Sequence, residues 1–585
     1  MKLIFDIETD AIKATKVWCM VAQDADSGKI YKFAPHELES GLELLKSADT
    51  LIGHNILGFD IPMVHKLLGV DLRDKKMIDT LVLSRLFKPS REGGHSLNKW
   101  GYHPDVNLPK IDFNDYSKYS KKMLEYCVRD VEVNKLVLEA LKKESAGFTK
   151  ESIELEHSVG IIMKEQELNG FGFDKPEAEK LLASLYKRMS EVEQEVHETF
   201  KPKQVREDIV VQYNKDGKIA KLGLNIDTRK RVHLLPDEQE QFSNGVEALV
   251  RTHEEEFNLG SRKQIGEYLQ DFGWKPKRFT PTGQPVVDEK ILSRIKDIPE
   301  AALIAEYLLL QKRIAQIESW IESVEEDGRV HGFVIPNGTI TGRMSHRKPN
   351  MAQVPSLKSP YGRECRSCWI TPKGYKLIGI DASGLELRML AHYMEDEEFT
   401  NEIINGDIHT RNQKTAGLQS RNQAKTFIYA LLYGAGHAKL GQVVGGSARL
   451  GKELRERFFA NQPSFKSLRD RVTKAATKGS LKGLDGRKIY IRNVHSSLNS
   501  LLQGGGAIVM KRALVLLDTR AKELNLDYKF VANIHDEWQV EVKAEHAEEF
   551  GQLGVQALID AGEYYKMVCP LDGEYKIGED WSETH

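Results

Sequence analysis

The segment RNQAKTFIYALLYGAG at residues 421–436 combines two cations with two aromatic rings. Its four functional side chains recur at every fourth position: Arg421, Lys425, Tyr429 and Tyr433. On a helix that spacing places all four on one face. Guanidinium and ammonium groups suit phosphate oxygens, and the rings suit stacking against a base and a sugar. The pattern therefore predicts a helix that grips a triphosphate, with an ordinary amphipathic helix carrying a solvated basic edge as the alternative.

Two carboxylate motifs flank this segment. KLIGIDASGLELR is an apolar strand that ends at Asp381, and FVANIHDEWQVEV reads as a hairpin with His535, Asp536 and Glu537 at its tip. Carboxylates on a strand end and a neighbouring hairpin can together hold two Mg²⁺ ions for phosphoryl transfer. Either motif alone would be interpreted as a locally satisfied turn aspartate.

A second set of acids lies near the N-terminus. Asp6 and Glu8 alternate along the strand KLIFDIET, and Asp60 ends a short strand and turn. Tyr126 and Asp130 lie one helical turn apart in KKMLEYCVRDVEVNKLVLEAL. If these carboxylates meet, they repel unless divalent cations bind, and hard oxygen ligands suit Mg²⁺ or Mn²⁺. Two such ions about 3.5–4 Å apart can promote phosphodiester hydrolysis.

The ordered motifs DIE, HNxxGFD and YxxxD resemble those of DEDD-type 3′→5′ exonucleases in their tyrosine variant. The resemblance implies a metal-binding set and assigns Tyr126 to orienting the attacking water. The implied metal ligands are Asp6, Glu8, Asp60 and Asp130.

The segments DASGLELR, RNQAKTFIYALLYGAG and IHDE resemble motifs A, B and C of family A DNA polymerases, the family of bacterial DNA polymerase I. The resemblance implies that Asp381, Asp536 and the carbonyl of Ala382 bind metal. It counts Glu537 and Lys425 with the catalytic residues. The implied nucleotide-binding residues are His409, Arg421, Lys425, Tyr429 and Glu386. The implied DNA contacts are Arg343, Arg366, Tyr433, Gln503 and His535.

Further segments, including PNGTITGR, SPYGRECR, NGDIHTRNQ and LNSLLQ, resemble the replicative polymerases of short-tailed phages of the T-seven type. That branch implies a DNA-directed DNA polymerase with a 3′→5′ proofreading exonuclease and two Mg²⁺ ions per active site, with Mn²⁺ as a substitute. The implied partners are primer-template DNA, deoxynucleoside triphosphates, a phage helicase-primase and a single-stranded DNA-binding protein. The implied location is the cytoplasm of a host bacterium.

In this branch the thumb can hold an insertion that recruits host thioredoxin. Residues 200–257 are strand-like and turn-rich, but the segment is short and lacks a long basic loop rich in Gly and Pro. This composition argues against dependence on thioredoxin. Either the polymerase is processive alone, or its partner differs.

The expected fold is an α/β exonuclease domain with an RNase H-like mixed sheet, followed by an α+β polymerase domain shaped as a right hand. The expected boundaries are 1–145 for the exonuclease, 146–330 for the thumb, 331–400 for the first part of the palm, 401–480 for the fingers and 481–585 for the second part of the palm.

Composition narrows the class of protein without identifying it. The chain has 585 residues, which predicts several domains, and a net charge of −2. Basic residues outnumber acids between 421 and 474, as in a groove that binds a polyanion. No run of 18 apolar residues occurs, which argues against a membrane span. Five scattered cysteines indicate a reducing compartment.

Two motifs mislead. GSARLGK at 446–452 matches the start of a P-loop, but Glu453 stands where a hydroxyl should meet Mg²⁺. Cys365 and Cys368 have CxxC spacing without a second ligand pair, so structural zinc is not expected. The alternatives to a replicative polymerase are a cellular repair polymerase of family A, a non-catalytic DNA-binding processivity protein, and a nuclease alone.

Overall fold

The chain divides into two compact units. The computed structural model describes the backbone of residues 1–585 and every side chain except that of residue 290. The first unit comprises Met1–Asp174 and Ser323–His585, and the second comprises Lys175–Glu322.

The first part of the first unit is built around a mixed five-stranded sheet. Its strands are β1 (Lys2–Thr9), β2 (Val17–Asp24), β3 (Ile30–Phe33), β4 (Thr50–Gly53) and β5 (Lys76–Asp79), and β6 (Phe171–Phe173) follows later in the chain. Its helices are α1 (Leu38–Ser47), α2 (Asp60–Leu68), α3 (Thr80–Phe87), α4 (Leu97–Gly101), α5 (Lys121–Glu144) and α6 (Lys150–Asn169).

The order of this sheet is β3-β2-β1-β4-β5. β1 is antiparallel to β2 and parallel to β4, so it is the central strand. Its residues are almost all buried because the sheet is covered on both faces, as a nearly continuous apolar run predicts. α5 packs against β1 and β2 through Met123, Cys127 and Val131.

The second unit combines helices with an antiparallel sheet. Its helices are α7 (Lys175–Thr199), α8 (Pro236–Ser243), α9 (Arg262–Asp271), α10 (Glu289–Leu292) and α11 (Glu300–Glu322), and its strands are β7 (Lys203–Val210), β8 (Leu222–Asn225), β9 (Arg231–His233) and β10 (Ala248–Glu255). The sheet order is β10-β7-β8-β9. The strand-like character predicted for residues 200–257 is thus confirmed, and α7 packs along α11.

The remainder of the first unit is mainly helical. Its strands are β11 (Arg329–Val330), β12 (Phe333–Ile335), β13 (Ser345–Arg347), β14 (Trp369–Ile370), β15 (Tyr375–Ala382), β16 (Ser480–Lys482), β17 (Lys488–Tyr490), β18 (Tyr528–Ile534), β19 (Glu537–Lys543) and β20 (Gly573–Gly578). Its helices are α12 (Gly362–Ser367), α13 (Leu385–Met394), α14 (Glu397–Asn405), α15 (Ile408–Ala416), α16 (Arg421–Leu432), α17 (His437–Val443), α18 (Ala448–Asn461), α19 (Pro463–Ala476), α20 (Ser497–Glu523) and α21 (Ala547–Tyr564).

A four-stranded antiparallel sheet of order β18-β19-β15-β20 supports the C-terminal motifs. Its inner residues join one large core with α13, α16, α20 and α21. The stretch Val494–Glu523 is long and apolar enough to cross a membrane by length and composition alone, but 78% of its apolar window is buried inside the structure. α20 is accordingly a core helix of this unit.

Glycines let α20 approach its neighbours closely. A Cβ atom at Gly505 would lie 2.4 Å from the Cε of Met389 on α13, and one at Gly504 would lie 2.5 Å from the Cδ1 of Ile489 on β17. The absence of side chains at these positions thus permits close approach of α20 to a neighbouring helix and a neighbouring strand.

Candidate active sites

The N-terminal carboxylates meet at the central strand of the mixed sheet. Asp6 and Glu8 lie on the same face of β1, two residues apart. Asp60 is the first residue of α2, and its Oδ1 accepts a hydrogen bond from the backbone N–H of Ile7, 3.1 Å away. The first two predicted motifs are therefore in direct contact.

α5 brings the third motif to the same place. The Sγ of Cys127 donates to the backbone carbonyl of Asp6 at 3.4 Å and lies 3.6 Å from its Oδ2. Tyr126 and Asp130 lie on either side of Cys127 in the sequence, on the turns of α5 that face β1. The structure thus gathers all five residues predicted for a hydrolytic site.

The carboxylates of this cluster carry perturbed pKa values. Burial, followed by repulsion from Asp130, raises the pKa of Asp6 to about 7. Burial and then Asp6 raise the pKa of Glu8 to about 10. Burial and Asp6 also raise the pKa of Asp60 well above its usual range. Crowded, buried acids of this kind are typical of sites that bind cations.

The donor set fits a divalent cation. Ligand atoms of Asp6, Glu8 and Cys127 all lie within 4.8 Å of one another. The Oδ1 of Asp130 is buried without a hydrogen-bond partner in the described structure. Oxygen donors with spare lone pairs are the ligands that Mg²⁺ and Mn²⁺ prefer.

Two residues that the sequence analysis missed organise this site. Asp79, at the end of β5, accepts hydrogen bonds from the backbone N–H groups of Asn55 (2.9 Å) and Leu57 (3.1 Å), which fixes the loop that leads to Asp60. Lys110 forms an ion pair with Asp130. The sequence contains a local signal for Asp79, because this residue caps α3. It contains no local signal for the ion pair of Lys110 with Asp130, because these residues belong to separate segments.

The C-terminal carboxylates meet on the antiparallel sheet. Asp381 and Glu537 are directly opposite each other on β15 and β19. The backbone N–H of Ala382 donates to the carbonyl of Asp536 at 2.9 Å. His535 and Asp536 form the exposed turn between β18 and β19, so the predicted hairpin is confirmed.

Burial, and then repulsion between carboxylates, raise the pKa values of the two aspartates. Desolvation, followed by Asp536 and Glu537, raises the pKa of Asp381 to about 7. Desolvation also raises the pKa of Asp536, although Arg343 opposes this shift. The side chain of Asp536 nevertheless reaches solvent at the turn. This second pair of acids likewise fits a cation-binding role.

Glu537 is held in place by several donors. Its Oε2 lies 2.8 Å from the Nδ1 of His585, and its Oε1 accepts from the indole of Trp581 at 2.8 Å and from the amide of Gln539 at 2.7 Å. Burial alone would raise the pKa of Glu537, but the hydrogen bond and the charge of His585 lower it. Glu537 is therefore a carboxylate that the protein itself satisfies.

Arg366 lies beneath Glu537 and not on the surface. Its side chain is buried, its Nε donates to the carbonyl of Pro355 at 2.9 Å, and its guanidinium lies 4.4 Å above the ring of Trp581. It lies 3.9 Å from Glu537. The buried guanidinium supports Glu537, and the DNA contact that the resemblance implies for Arg366 stays a prediction.

α16 presents the four side chains predicted to share one face. Arg421 and Lys425 are exposed, and the ring of Tyr429 is half-buried and stacked 6.5 Å from that of Tyr433. The helix itself ends at Leu432, so Tyr433 lies just beyond its last turn.

A neighbouring helix orients the cationic end of α16. The Nε of Arg421 donates to Asp407 at 2.6 Å, and Asp407 caps α15 by accepting from the backbone N–H of His409 at 3.0 Å. The ring of His409 lies 6.4 Å from that of Tyr429. Three of the predicted nucleotide-binding residues therefore surround one patch of surface.

The aromatic end of α16 contacts Glu386, which lies in the first turn of α13. The hydroxyl of Tyr433 donates to both carboxylate oxygens of Glu386, each 3.0 Å away. Arg343 also donates to Glu386, at 3.3 Å. Arg343 and His535 line a cavity of about 20 Å³. Gln503 lies on α20 one helical turn before Ala507, which lines the same cavity.

The two misleading motifs have structural roles. Ser447 caps α18, and the segment 446–452 joins α17 to α18, so no strand precedes it as a P-loop would require. Cys365 and Cys368 are buried at the two ends of α12's last turn.

Comparison with known proteins finds matches along the whole chain. Residues 232–583 match the model of DNA polymerase family A. The DNA-directed DNA polymerases of Enterobacteria phage T3 and Escherichia phage T7 are 34% and 32% identical, over 100% of this chain and 100% of each relative. DNA polymerase I of Pseudomonas aeruginosa is 29% identical over 57% of this chain and 39% of its own length.

A solved structure shares the fold. The POL domain of Pol1 from M. smegmatis, in complex with DNA primer-template and dNTP, superimposes with a TM-score of 0.79 at 18% identity. The match covers 99% of this chain and 95% of that one.

The family match and the full-length relatives define a DNA-directed DNA polymerase. The chain belongs to DNA polymerase family A. Within that family it is similar along its whole length to the phage T3 and T7 enzymes.

Proposed function

We propose that this chain copies a DNA template by adding deoxynucleotides to a primer, and that it removes mispaired 3′ ends at a separate site. The observation that carries the proposal is the pair of Asp381, near the end of β15, and Asp536, in the turn before the adjoining strand β19. The charge of Asp536 acts on Tyr429 of the cation-bearing helix α16. The names of the phage T3 and T7 relatives support the same activity.

The assigned roles follow the sequence-based boundaries. Residues 1–145 form the exonuclease domain around the sheet β1–β5. Residues 146–330 form the thumb, and residues 331–400 and 481–585 form the palm with β15 and β19. Residues 401–480 form the fingers, which contain α15 to α19. The mixed sheet, the antiparallel sheet and the likeness to a polymerase POL domain support this division.

Each site would hold two Mg²⁺ ions, with Mn²⁺ as a substitute. In the synthetic site Asp381, Asp536 and the carbonyl of Ala382 would be ligands. In the excision site the ligands would be Asp6, Glu8, Asp60 and Asp130. Bound ions supply charge neutralisation at the reacting phosphate and activation of the attacking oxygen. The raised pKa values of both clusters support a cationic occupant.

In synthesis, residues of the fingers bind the incoming nucleotide. Arg421, Lys425 and His409 contact the triphosphate, since they present positive or donor groups on one patch. Tyr429 contacts the sugar. These groups orient the α-phosphate for attack by the primer 3′-oxygen, with pyrophosphate as the leaving group.

The contact between Tyr433 and Glu386 shapes the insertion site. Because the carboxylate of Glu386 is bound by Tyr433 and Arg343, it is held beside the position of the sugar 2′ carbon. It then excludes a ribonucleotide by crowding its 2′-hydroxyl. Arg343, Gln503 and His535 contact the primer-template minor groove and the primer end.

In excision, the N-terminal site hydrolyses the terminal phosphodiester of the primer. Tyr126 orients the attacking water through its hydroxyl, whose pKa burial and then Asp130 raise, so that it stays protonated. Asp6, Glu8, Asp60 and Asp130 hold the catalytic cations.

The proposed partners are primer-template DNA and deoxynucleoside triphosphates, together with a phage helicase-primase and a single-stranded DNA-binding protein. The M. smegmatis POL domain, which binds DNA primer-template and dNTP, supports the first two. Host thioredoxin is not proposed, since the segment 200–257 forms a short four-stranded sheet with α8. The proposed location is the cytoplasm of a host bacterium.

The direct test is template-directed incorporation. Wild type should extend a primer with the nucleotide that pairs with each template base, and Asp536→Ala should lose this by at least about 1,000-fold. Asp527→Ala, at the opposite end of the same hairpin, is the matched control and should extend normally. Incorporation that ignores the template, or an Asp536→Ala variant as active as wild type, would refute the proposal.

A further inference from the structure

An ammonium group lies inside the N-terminal carboxylate cluster. Lys110 belongs to the segment between α4 and α5, and its Nζ forms an ion pair with Asp130. The same ammonium lies 4.5 Å above the centre of the ring of Tyr126. The side chain is 18% exposed, so the charge is mostly withdrawn from solvent but still reaches the site's surface.

The segment that carries Lys110 is tied to the sheet and to α5. Arg129 donates to the carbonyl of Pro109 at 3.1 Å, immediately before Lys110. Farther along the segment, the indole of Trp18 donates to the carbonyl of Tyr116 at 2.9 Å. These hydrogen bonds hold the segment of Lys110 in place. Its contact with the cluster is therefore set by the fold, unlike the contact of a mobile surface lysine with a nearby acid.

Aromatic packing supports the same placement. The ring of Phe113 lies 5.4 Å from that of Tyr126 and 5.1 Å from that of Tyr116. Tyr126 is the residue assigned to orient water, so the segment of Lys110 also forms the wall on which that ring rests. A lysine held there lies beside both the ligands and the water-orienting hydroxyl.

The cluster contains more acidic than basic groups, and Lys110 offsets part of its negative charge. Four carboxylates converge, and Lys110 acts against the upward pKa shifts of Asp6, Glu8 and Asp130. It binds one oxygen of Asp130, while the other oxygen is buried without a hydrogen-bond partner in the described structure. A cation can therefore first bind this second oxygen, and its positive charge then competes with the ammonium for Asp130.

We propose that Lys110 is a catalytic residue of the excision site, which pairs with Asp130 before cations bind and then contacts a non-bridging oxygen of the scissile phosphate. The inference rests on the proposed excision activity. In that hydrolysis the water oxygen bonds to phosphorus, the bond from phosphorus to the 3′-oxygen breaks, and the 3′-oxygen leaves with a proton. Lys110 transfers no proton and offsets charge that gathers on the phosphate oxygens.

The first test compares Lys110→Met and Lys110→Arg with Lys118→Met, an exposed lysine of the same segment. At saturating Mg²⁺, Lys110→Met should degrade a single-stranded primer about 100-fold more slowly than wild type. Lys110→Arg, which keeps the charge, should retain more activity than Lys110→Met. Lys118→Met should match wild type, and primer extension should be unchanged in all three.

A second readout needs no substrate. Mn²⁺ binding is titrated by electron paramagnetic resonance in the background Asp381→Ala/Asp536→Ala, which removes ligands from the synthetic site. Because the ammonium competes for Asp130, Lys110→Met should bind Mn²⁺ about tenfold more tightly. A residue with a purely structural role would not tighten metal binding.

The outcomes separate the possibilities. Tighter Mn²⁺ binding with a normal excision rate would make Lys110 a competitor of the cation only and would overturn the catalytic role, as would no change in either readout. If Lys110→Met lowers the melting temperature, Lys110→Gln and Lys110→Arg are compared instead, and equal excision by these two overturns the proposal. If wild type does not excise, or Asp6→Ala/Glu8→Ala excises normally, the failure lies in the proposed function itself.

Discussion

At the scale of single residues, Tyr433 joins the end of α16 to the carboxylate of Glu386 on α13. Its hydroxyl donates to both oxygens of Glu386, which also accepts from Arg343. A carboxylate with three such contacts keeps one orientation, and in the function proposed above it limits the space left for a sugar. The same end of α16 places Tyr429 one turn earlier, where its ring stacks on that of Tyr433.

Tyr429 should govern the use of dideoxynucleotides. The family resemblance implies that a tyrosine hydroxyl here replaces the hydrogen bond lost when a nucleotide lacks its 3′-hydroxyl. Tyr429→Phe should therefore reduce kcat/KM for dideoxynucleotides relative to deoxynucleotides by about tenfold or more.

Single-nucleotide incorporation kinetics measure this ratio. Tyr564→Phe, which removes the hydroxyl of an exposed tyrosine on α21, is the control and should leave the ratio unchanged. A Tyr429→Phe variant with the wild-type preference would show that its hydroxyl does not contact the sugar.

At the scale of elements, a buried ionic cluster joins α6 to α20. Glu156 on α6 accepts from the Nζ of Lys511 on α20 at 2.6 Å and from Arg487, which also donates to Asp485 at 2.8 Å. Arg487 and Asp485 belong to the turn between β16 and β17. All four side chains are buried, so each charge needs its partners to compensate for the hydration that it has lost.

Glu156→Gln should destabilise the first unit strongly. The substitution keeps the shape but leaves two buried cations with one carboxylate, which costs about 3–5 kcal/mol of unfolding free energy. Glu154→Gln, on the same helix but exposed, breaks only a surface pair with Lys150 at 3.4 Å and should cost less than about 1 kcal/mol. Chemical denaturation measures both values, and equal losses would show that the buried cluster does not depend on this carboxylate.

The same cluster predicts a pH dependence. Burial lowers the pKa of Lys511 from 10.5 to about 8, although Glu156 opposes the shift. Between those pH values the unfolded chain holds a proton that the folded protein has released. Unfolding therefore takes up protons, and the contribution of Lys511 to stability rises with pH in that window.

Comparison with Lys511→Met isolates this effect. The unfolding free energy of wild type, relative to the variant, should increase as the pH rises from 8 toward 10. Lys150→Met, which removes an exposed lysine, should show no such trend. A difference that stays constant or falls with pH would show that Lys511 keeps its proton in the folded protein.

At the scale of the whole molecule, the sequence predicted the elements that carry the motifs better than the contacts between them. The strand of Asp6, the strand of Asp381 and the hairpin at Asp536 follow from local apolar patterns, and all three form as expected. Periodicity likewise placed the helix of Arg421.

The contacts that complete the sites could not be predicted because their partners are distant in the chain. Nothing local links His585 to Glu537 or Lys110 to Asp130, since each pair forms only when the fold brings separate segments together. The burial of Arg366 has the same origin, because an arginine in a basic segment looks solvent-exposed until Trp581 covers it. Sequence patterns report which face of an element is apolar, and not what packs against it.

In the function proposed above, one chain holds two independent metal-dependent sites, one for synthesis and one for excision. The most direct measurement follows one labelled primer on a template with Mg²⁺ and four deoxynucleotides, in wild type, Asp536→Ala and Asp6→Ala/Glu8→Ala. We expect Asp536→Ala to shorten the primer without extending it, and the double variant to extend it without shortening. Loss of both activities in either variant, or a wild type that only degrades the primer, would contradict the presence of two independent sites.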